Sequence, residues 1–369
     1  MILQKYSRHF WLFALLAGAL PVAAQFQPSP VTNTGAPSLR IPVDARAAGM
    51  GNLSLASTPD ATNSRGAQSA KAVFAEKDAG LALNYTPWMK ELADGMYLLQ
   101  LSGYKKLGDK QALTASVRYF NLGDFRLKDA AGELLQESRP REWSADVGYA
   151  RKLSDRLSLS IAFRYIHSRL ATGTYNNQEF KAAGVLAADA GLYYQLYNDK
   201  GEGFAAGLGL SNIGTRIGYT KNEGRKDFLP ANIGLGASYR KLLEEDHALM
   251  AGVEFNKLLV PASPTSATEL KEYYDQSGIA AIGKGFGNKL WQYAVGMEYT
   301  YKNCFDLRVG FTGESKEQGA QKALTFGAGF RYDVFAIHLA WLSPVDNKNS
   351  GSNVNPQKNT LRLGVQVSF

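Results

Sequence analysis

The sequence predicts an all-β fold, namely a transmembrane antiparallel β-barrel of about fourteen strands. Three observations favour it: segments in which apolar and polar residues alternate, links that are alternately short and long, and an export signal at the start. Residues 361–369 show the alternation, because Leu361 and Phe369 bound an apolar face that excludes Arg362. Alone, this segment would also suit the last strand of a soluble sandwich, so the rest of the chain must decide.

Composition agrees with a sheet protein and excludes several functional classes. The 369 residues include 37 Gly and 19 Tyr, which suits a barrel with aromatic girdles. The formal charge is +8, but no basic run with interleaved aromatics indicates a nucleic-acid partner. Cys304 is the single cysteine, so the sequence encodes no intramolecular disulfide framework and no cysteine-based metal site.

Residues 1–24 have the pattern of a cleaved signal peptide. Lys5 and Arg8 precede an apolar centre at residues 10–20, and Val22-Ala23-Ala24 forms a small-residue cleavage site. The competing interpretation is a membrane anchor, but the uncharged run from Phe10 to Ala24 falls short of the roughly 20 residues that a helical span requires. We therefore expect export across the inner membrane.

Residues 25–78 have no clear period, and we expect a periplasmic or plug segment here. Gln27 to Pro42 is an irregular lead-in, rich in Pro, Ser, Thr and Asn. The following run is Asp44-Ala45-Arg46-Ala47-Ala48-Gly49-Met50-Gly51, whose small residues permit close backbone approach in a confined space. The predicted plug motif comprises Asp44, Arg46, Gly49, Met50 and Gly51. A surface loop is the alternative.

Residues 79–369 form the predicted outer-membrane barrel, and their links carry the strongest signal. Long links recur near 86–95, 121–141, 168–184, 213–230, 257–290, 313–321 and 342–358. Short links of a few residues separate them, for example at Leu153-Ser154-Asp155 and Tyr332-Asp333. Short periplasmic turns and longer outer loops are typical of bacterial outer-membrane barrels, whereas a soluble sandwich has no reason for this alternation.

The two faces of the predicted strands also differ in charge. One face is aliphatic and aromatic, and a cation placed on it at the bilayer midplane would cost roughly 2–4 kcal/mol. The opposite face carries both signs, which indicates ion pairing across a lumen. It comprises Arg118, Asp146, Arg164, Asp189, Glu254, Glu298, Asp306, Arg308, Arg331 and Arg362.

No catalytic, cofactor-binding or metal-binding constellation emerges. No two of the histidines, His9, His167, His247 and His338, have the spacing of a metal-ligand pair. The glycine-rich run at 283–287 lacks the phosphate-loop pattern. A Ser-His-Asp site stays open, since its members are scattered in sequence, but nothing marks one. We expect a protein that is not an enzyme and uses no cofactor.

Outward function would lie in the long loops. The 257–290 loop starts apolar, contains a predicted short helix at 269–274, and carries an unusual apolar run at 278–282. Contact with a partner and packing against the barrel rim both explain it. The first loop contributes an aromatic residue that we expect to be exposed. The candidate contacts are Trp88, Met89, Leu258, Leu259, Val260, Tyr273, Tyr274, Ile279, Ile282 and Phe286.

The chain resembles the PorV family of type IX secretion proteins of Bacteroidota. The resemblance is carried by the run from Asp44 to Gly51, by Phe74-Ala75-Glu76 and by Tyr85-Thr86-Pro87-Trp88. The first run is shared with PorQ-like relatives, whereas the third points more narrowly to PorV. The chain departs from the family at Gln68-Ser69-Ala70-Lys71, where members usually carry Asn-Pro-Ala-Lys. The resemblance implies a FadL-like fourteen-stranded barrel in the outer membrane with an internal N-terminal segment.

The resemblance also implies a carrier role. PorV-like proteins bind the C-terminal domain of secreted cargo and carry it from a SprA-like translocon to a PorU-like sortase, which attaches it to lipopolysaccharide. The alternative is a FadL-like channel for hydrophobic small molecules, which would need an apolar lumen path. A lipopolysaccharide deacylase would need a Ser/His pair at the rim or lumen, and the sequence marks none. The charged lumen favours the carrier.

Overall fold

The computed structural model describes residues 34–89, 95–128, 134–171, 173–175, 178–221, 225–264, 266–345 and 360–369. The predicted signal peptide lies outside these residues. Two α-helices of the longest loop and one short helix before the first strand accompany the sheet: α1 (Ala45–Gly49), α2 (Ala267–Asp275) and α3 (Gly278–Gly285). Short 3-10 stretches span Pro37–Arg40, Gly66–Phe74 and Lys316–Gln318. Within the described residues, none of the helices has the length and apolar character needed to cross a membrane.

The strands follow one another along nearly the whole chain after residue 78. In chain order they are β1 (Ala79–Pro87), β2 (Tyr97–Lys106), β3 (Gln111–Asn121), β4 (Phe125–Lys128), β5 (Leu134–Ser138), β6 (Arg141–Lys152), β7 (Leu157–Arg169), β8 (Gly173–Tyr175), β9 (Gln178–Phe180), β10 (Ala183–Tyr197), β11 (Gly203–Gly214), β12 (Asn232–Glu244), β13 (His247–Leu258), β14 (Trp291–Tyr301), β15 (Phe305–Glu314), β16 (Lys322–Tyr332), β17 (Phe335–Pro344) and β18 (Thr360–Ser368).

Fourteen of the described strands close into one antiparallel barrel. Each pairs with its neighbour in sequence once two small hairpins, β4–β5 and β8–β9, are set aside in their loops. The last strand pairs with the first, with Leu83 opposite Val365. Closure leaves no edge of the barrel sheet unpaired, which a sheet surrounded by lipid requires. The predicted strand number, antiparallel order and terminal pairing are confirmed.

The alternation of side chains sorts the strands into an outer apolar face and an inner polar face. In β18, Leu361, Leu363 and Val365 are exposed, whereas Arg362 between them is 0% exposed. The same division holds for the predicted luminal charges, all of which are buried except Arg331, which is half-buried near a short turn. The period-2 prediction of the two faces therefore holds along the barrel.

The links also follow the predicted order. Short turns connect β2 to β3, β6 to β7, β10 to β11, β12 to β13, β14 to β15 and β16 to β17. All of them lie at one end of the barrel, which we call the short-turn end, and β1 begins there. The long loops lie at the opposite, long-loop end. Among these loops, the one after β13 is the longest and carries α2 and α3.

The segment at 34–78 lies inside the barrel and fills much of its lumen; we call it the plug. Its helix α1 packs against β15, β16, β17 and β18, and its 3-10 stretch Gly66–Phe74 packs against strands on the other side of the lumen. Residues such as Ala45, Ala48 and Met50 are fully enclosed there. The structure thus places the predicted N-terminal segment within the barrel instead of leaving it as a surface loop.

Candidate functional site

The plug motif begins with a helix cap. The Asp44 carboxylate accepts hydrogen bonds from the backbone N–H groups of Arg46 (2.8 Å) and Ala47 (3.2 Å), as an N-cap residue does. The backbone N–H of Ala45 donates to Asn84 Oδ1 of β1 at 3.1 Å. Asp44 therefore serves the short helix itself, and Asn84 ties that helix to the barrel wall.

Arg46 is the main electrostatic tie between plug and barrel. Its guanidinium donates to both oxygens of Glu298, at 3.0 and 2.7 Å, and also forms an ion pair with Asp60 of the plug. Such bidentate, charge-assisted contacts are the strong class of hydrogen bonds. Of these two partners, Asp60 belongs to the plug and Glu298 to β14 of the barrel wall.

Glu298 also joins Arg46 to a chain of charges on the wall. Arg308 donates to Glu298 at 2.6 Å and to Asp306 at 2.7 Å, and Arg331 donates to Asp306 at 2.5 Å. These strand residues lie near the short-turn end of the lumen. We call the set Arg46, Asp60, Glu298, Asp306, Arg308 and Arg331 the plug latch. Because its charges are paired, it joins plug to wall without leaving a lone ion in a low-dielectric interior.

A second set of contacts holds the other side of the plug. Arg164 forms an ion pair with Asp189 at 2.7 Å and lies 3.6 Å from Asp146. Asp146 in turn accepts from the backbone N–H of Gly66. Glu254 accepts from the backbone N–H groups of Ser54 and Leu55, at 2.7 and 2.8 Å. Wall carboxylates thus satisfy plug backbone donors that would otherwise be buried without partners.

The glycines of the plug motif are required by close backbone approach. A side-chain carbon added to Gly51, whose φ is +73°, would lie 2.5 Å from the Phe311 carbonyl oxygen. The wall is equally tight, since a Cβ on Gly296 would lie 2.4 Å from the carbonyl oxygen of Met50. Gly49 similarly faces the backbone of Gly327. Small residues on both partners allow plug and wall to touch through their main chains.

In the run at residues 68–71, which departs from the family pattern, Lys71 still forms buried hydrogen bonds. The Lys71 ammonium is buried and donates to the carbonyl oxygen of Ser54 and to Ser57 Oγ (3.1 Å). Gln68 Nε2 donates to Ser54 Oγ at 2.7 Å, and Ser69 Oγ lies 2.8 Å from Thr114 Oγ1. Gln68 and Ser69 therefore bond the plug to itself and to the wall.

A cavity of about 570 Å³ lies in the lumen between the plug and the barrel wall. This is within the usual range for a small-molecule site. Its lining includes several charged groups, among them Arg65, Arg118 and Glu254. Another part of the cavity lining is apolar. This apolar wall consists of Ile41, Trp88, Met89, Met96, Phe120 and Leu122.

The structure separates the predicted partner contacts into buried and accessible groups. Trp88 is only 7% exposed and packs with Ile41 and Phe120, so the expectation that it is exposed is wrong. It is buried because the plug supplies apolar side chains beneath the first loop. Leu258, Leu259 and Val260 are buried as well. Met89, Tyr273, Tyr274 and Ile282 are half-buried, Phe286 is 56% exposed, and the side chain of Ile279 lies outside the description.

The helices of the longest loop pack on the barrel rim. Ser266 caps α2 and Ser277 caps α3, each accepting a backbone N–H three residues later at 3.2 Å. Tyr273 meets Phe228 edge to face, with ring centroids 5.0 Å apart. Phe228, Leu258, Val260, Ala281 and Leu290 form the cluster beneath, which we call the rim cluster. Rim packing therefore accounts for the apolar start of this loop.

Burial raises the pKa of several ionisable groups in the loops of this outer layer, among them Tyr273 and Asp227. It raises the pKa of the Tyr273 hydroxyl, with further contributions from Tyr274 and Asp227. It also raises the pKa of the Asp227 carboxyl above its ordinary value. Within the described ranges, no three His, Cys, Asp or Glu residues cluster as a metal site. Cys304 carries a free thiol, which donates to the Arg331 carbonyl oxygen at 3.0 Å.

The architecture defines a class of protein, the FadL-like outer-membrane barrel. Solved structures of this type superpose on most of the chain. The Pseudomonas putida toluene transporter TodX matches with TM-score 0.54, 14% identity, 87% of this chain and 96% of that chain. The CymD monoaromatic hydrocarbon channel matches with TM-score 0.57 and 12% identity over 89% of this chain and 97% of that chain. A Pseudomonas aeruginosa FadL homologue matches with TM-score 0.50 and 11% identity over 89% of this chain and 99% of that chain. At these identities the likeness establishes the fold alone.

The comparison with protein families gives a more specific result than the fold class does. The family "Type IX secretion system protein PorV" matches residues 24–265, so the chain belongs to the PorV family. The comparison with curated proteins finds no match. Membership and fold together make this an outer-membrane component of a type IX secretion system, as the sequence motifs predicted. The matched region includes the whole plug and the wall as far as the start of the longest loop.

Proposed function

We propose that the protein binds the C-terminal domain of secreted cargo and carries it from a SprA-like translocon to a PorU-like sortase at the cell surface. The observation that carries the proposal is membership of the PorV family. The outer rim would supply the binding surface, since it is the end of the barrel at which the longest loop is folded into helices. Lipopolysaccharide would surround that rim in the outer leaflet.

The plug supports a carrier more than an open pore. In the described residues, the plug latch joins plug to wall by paired charges, and the Gly296 and Met50 backbones are in contact. A chain of paired, buried charges leaves no continuous apolar path at the short-turn end. A carrier that works at the cell surface needs no such path, because its cargo stays outside the lumen.

Phe286 offers the sharpest local test of cargo binding. It ends α3 and exposes a large apolar ring at the long-loop end. We expect Phe286→Ala to weaken capture of a purified cargo C-terminal domain by about tenfold, since a buried aromatic anchor is worth about 1–3 kcal/mol at an interface. Leu153→Ala, which removes an exposed apolar side chain from a short turn, is the matched control and should leave capture unchanged.

Pull-down of the tagged protein from outer membranes tests the whole proposal. Recovery of cargo C-terminal domains or of a sortase is the expected result. The second candidate, a FadL-like channel for hydrophobic small molecules, is favoured by the luminal cavity of about 570 Å³. Recovery of neither partner, together with loss of fatty-acid uptake on deletion, would replace the carrier with the channel.

A further inference from the structure

One arginine of the plug, Arg65, lines the cavity and forms no ion pair with a described residue. Arg65 immediately precedes the 3-10 stretch Gly66–Phe74 and lines the cavity. Its Nε is buried without a hydrogen-bond partner, and among the described residues its guanidinium enters no ion pair. Arg46 and Arg164, by contrast, each pair with carboxylates of the wall. A guanidinium carries five N–H donors and cannot be deprotonated in a protein, so leaving Arg65 unpaired is costly.

A second guanidinium faces the same cavity. Arg118 of β3 donates to the carbonyl oxygen of Ser38 at 2.7 Å and to Gln100 Oε1 at 3.1 and 3.3 Å. These acceptors are neutral, and Arg118 forms no ion pair with a described carboxylate. Arg65 and Arg118 line the same cavity, so their positive charges repel each other there. An anion bound between two such like charges would stabilise both.

Two carboxylates of the neighbouring wall, Asp146 and Glu142, already accept hydrogen bonds from other donors. Asp146 accepts from Ser116 Oγ at 2.5 Å and from the Gly66 N–H, and it also serves Arg164. Glu142 accepts from the Ser38 N–H at 3.0 Å and from Ser168 Oγ at 2.5 Å. Among the described residues, neither carboxylate forms an ion pair with Arg65, so that guanidinium retains N–H donors for a ligand.

The rest of the cavity limits what that ligand can be. The apolar wall that contains Trp88 and Phe120 offers a surface for a compact apolar or aromatic body. Residues 25–33, which precede the described plug, contain no Asp or Glu and cannot supply a carboxylate side chain.

We propose that the luminal cavity is a binding site for a carboxylate attached to a small apolar body, with Arg65 and Arg118 as its anion-recognising residues. The carboxylate can come from a free organic acid or from a peptide that enters the lumen. This inference does not depend on cargo transport, since it rests on the unpaired arginine and the cavity around it.

The test is binding of phenylacetate and of its neutral analogue phenylacetamide to the full chain in detergent, by isothermal titration. We expect phenylacetate to bind at least about tenfold more tightly, since hydrogen bonds to a charged group are the strong ones. Arg65→Gln should remove that preference while leaving the unfolding midpoint unchanged or higher, because it deletes an unpaired charge. Arg169→Gln, an exposed arginine at the long-loop end, is the matched control and should keep the preference.

Two results would overturn the proposal. Equal binding of the two probes would show that no charge is recognised. A destabilised Arg65→Gln variant would show that Arg65 has a partner within the chain.

A competition experiment then distinguishes the sources. If a saturating cargo C-terminal domain displaces phenylacetate from the wild type, the carboxylate of a peptide occupies the site. If both bind together, the site serves free acids. Either result retains the site, and failure of the cargo to bind at all would count against the proposed carrier function alone.

Discussion

The two ends of the lumen are stabilised in different ways. Near the short turns, the plug latch joins Arg46 to Glu298 and Arg308 through buried ion pairs. Towards the long loops, apolar clusters around Trp88 and around Phe228 stabilise the packing, and Arg65 in the cavity forms no ion pair with any described residue. The first arrangement suits a permanent seal. The second leaves room and unused binding capacity, which is what a site for a partner requires.

The largest effect should follow from breaking the latch. Glu298→Gln removes the carboxylate shared by Arg46 and Arg308, leaving two buried cations short of a partner. We expect a loss of about 3–5 kcal/mol in the free energy of unfolding. Urea unfolding followed by the shift of the folded band on gels measures it. Glu179→Gln, which removes one partner of an exposed ion pair with Lys221, should cost less than about 1 kcal/mol. Similar losses of unfolding free energy in the two variants would mean that the plug latch stabilises the protein no more than an exposed ion pair does.

A smaller effect should follow from separating the plug from the wall. Gly296→Ala introduces a methyl group 2.4 Å from the Met50 carbonyl oxygen, so the plug must shift. We expect a loss of about 1–3 kcal/mol and a measurable ion conductance in planar bilayers. Gly283→Ala, in α3, meets no atom within 4 Å and should leave both quantities unchanged or slightly improved. A silent bilayer with Gly296→Ala would show that the plug tolerates displacement.

The long-loop end should respond locally. Tyr273→Ala removes the ring that packs on Phe228, and we expect the loop carrying α2 and α3 to lose about 2 kcal/mol of local stability. Limited proteolysis should cut this loop faster, while the barrel stays intact. Phe286→Ala is the control, because its ring is exposed and should change the cutting rate little. Equal cutting rates of the two variants would mean that the packing of Tyr273 on Phe228 does not determine the stability of the loop.

The smallest effect concerns Asp227 at the same end. Its backbone pairs with Ile217 at 2.8 and 2.9 Å, and burial raises the pKa of its carboxyl. The folded loop therefore prefers the protonated acid, and its stability falls as pH rises from the unfolded-state pKa through the raised one. At neutral pH, Asp227→Asn should make the loop slightly more resistant to protease. If protease cut the Asp227→Asn variant faster than the wild type, the charged carboxylate of Asp227 would be stabilising the loop.

Much of the barrel could be predicted because lipid imposes simple rules on it. Period-2 alternation and link lengths follow directly from a strand that separates lipid from lumen, so β18 and its pairing with β1 were predictable. The burial of Trp88 was not, because it depends on plug residues, among them Ile41, that meet it only in the folded state. The α3 helix and the loop hairpins β4–β5 and β8–β9 were also missed, since short segments of this kind lack a sustained period.

The candidate site shows the same limit. The small residues around Asp44 and Arg46 predict a segment in a confined space, but the partners of Arg46 are Asp60 and Glu298, and Glu298 lies far along the chain. Lys71 stood out only as the last residue of the run Gln68-Ser69-Ala70-Lys71, and Arg65 carried no sequence signal beyond its presence in a segment of small residues. An unpaired charge is visible only when all its neighbours are known, which is a property of the folded lumen.

The seam between β1 and β18 has a consequence for how the protein reaches its folded state. Ala79 and Phe369 exchange two backbone hydrogen bonds, at 2.8 and 2.9 Å, directly after the plug ends. These contacts join opposite ends of the barrel sequence, so they have very high contact order and form late. Because the plug runs directly into β1, closure of this seam also fixes the end of the plug at the short-turn end of the barrel. Anchoring of the plug and closure of the barrel are therefore coupled through one strand.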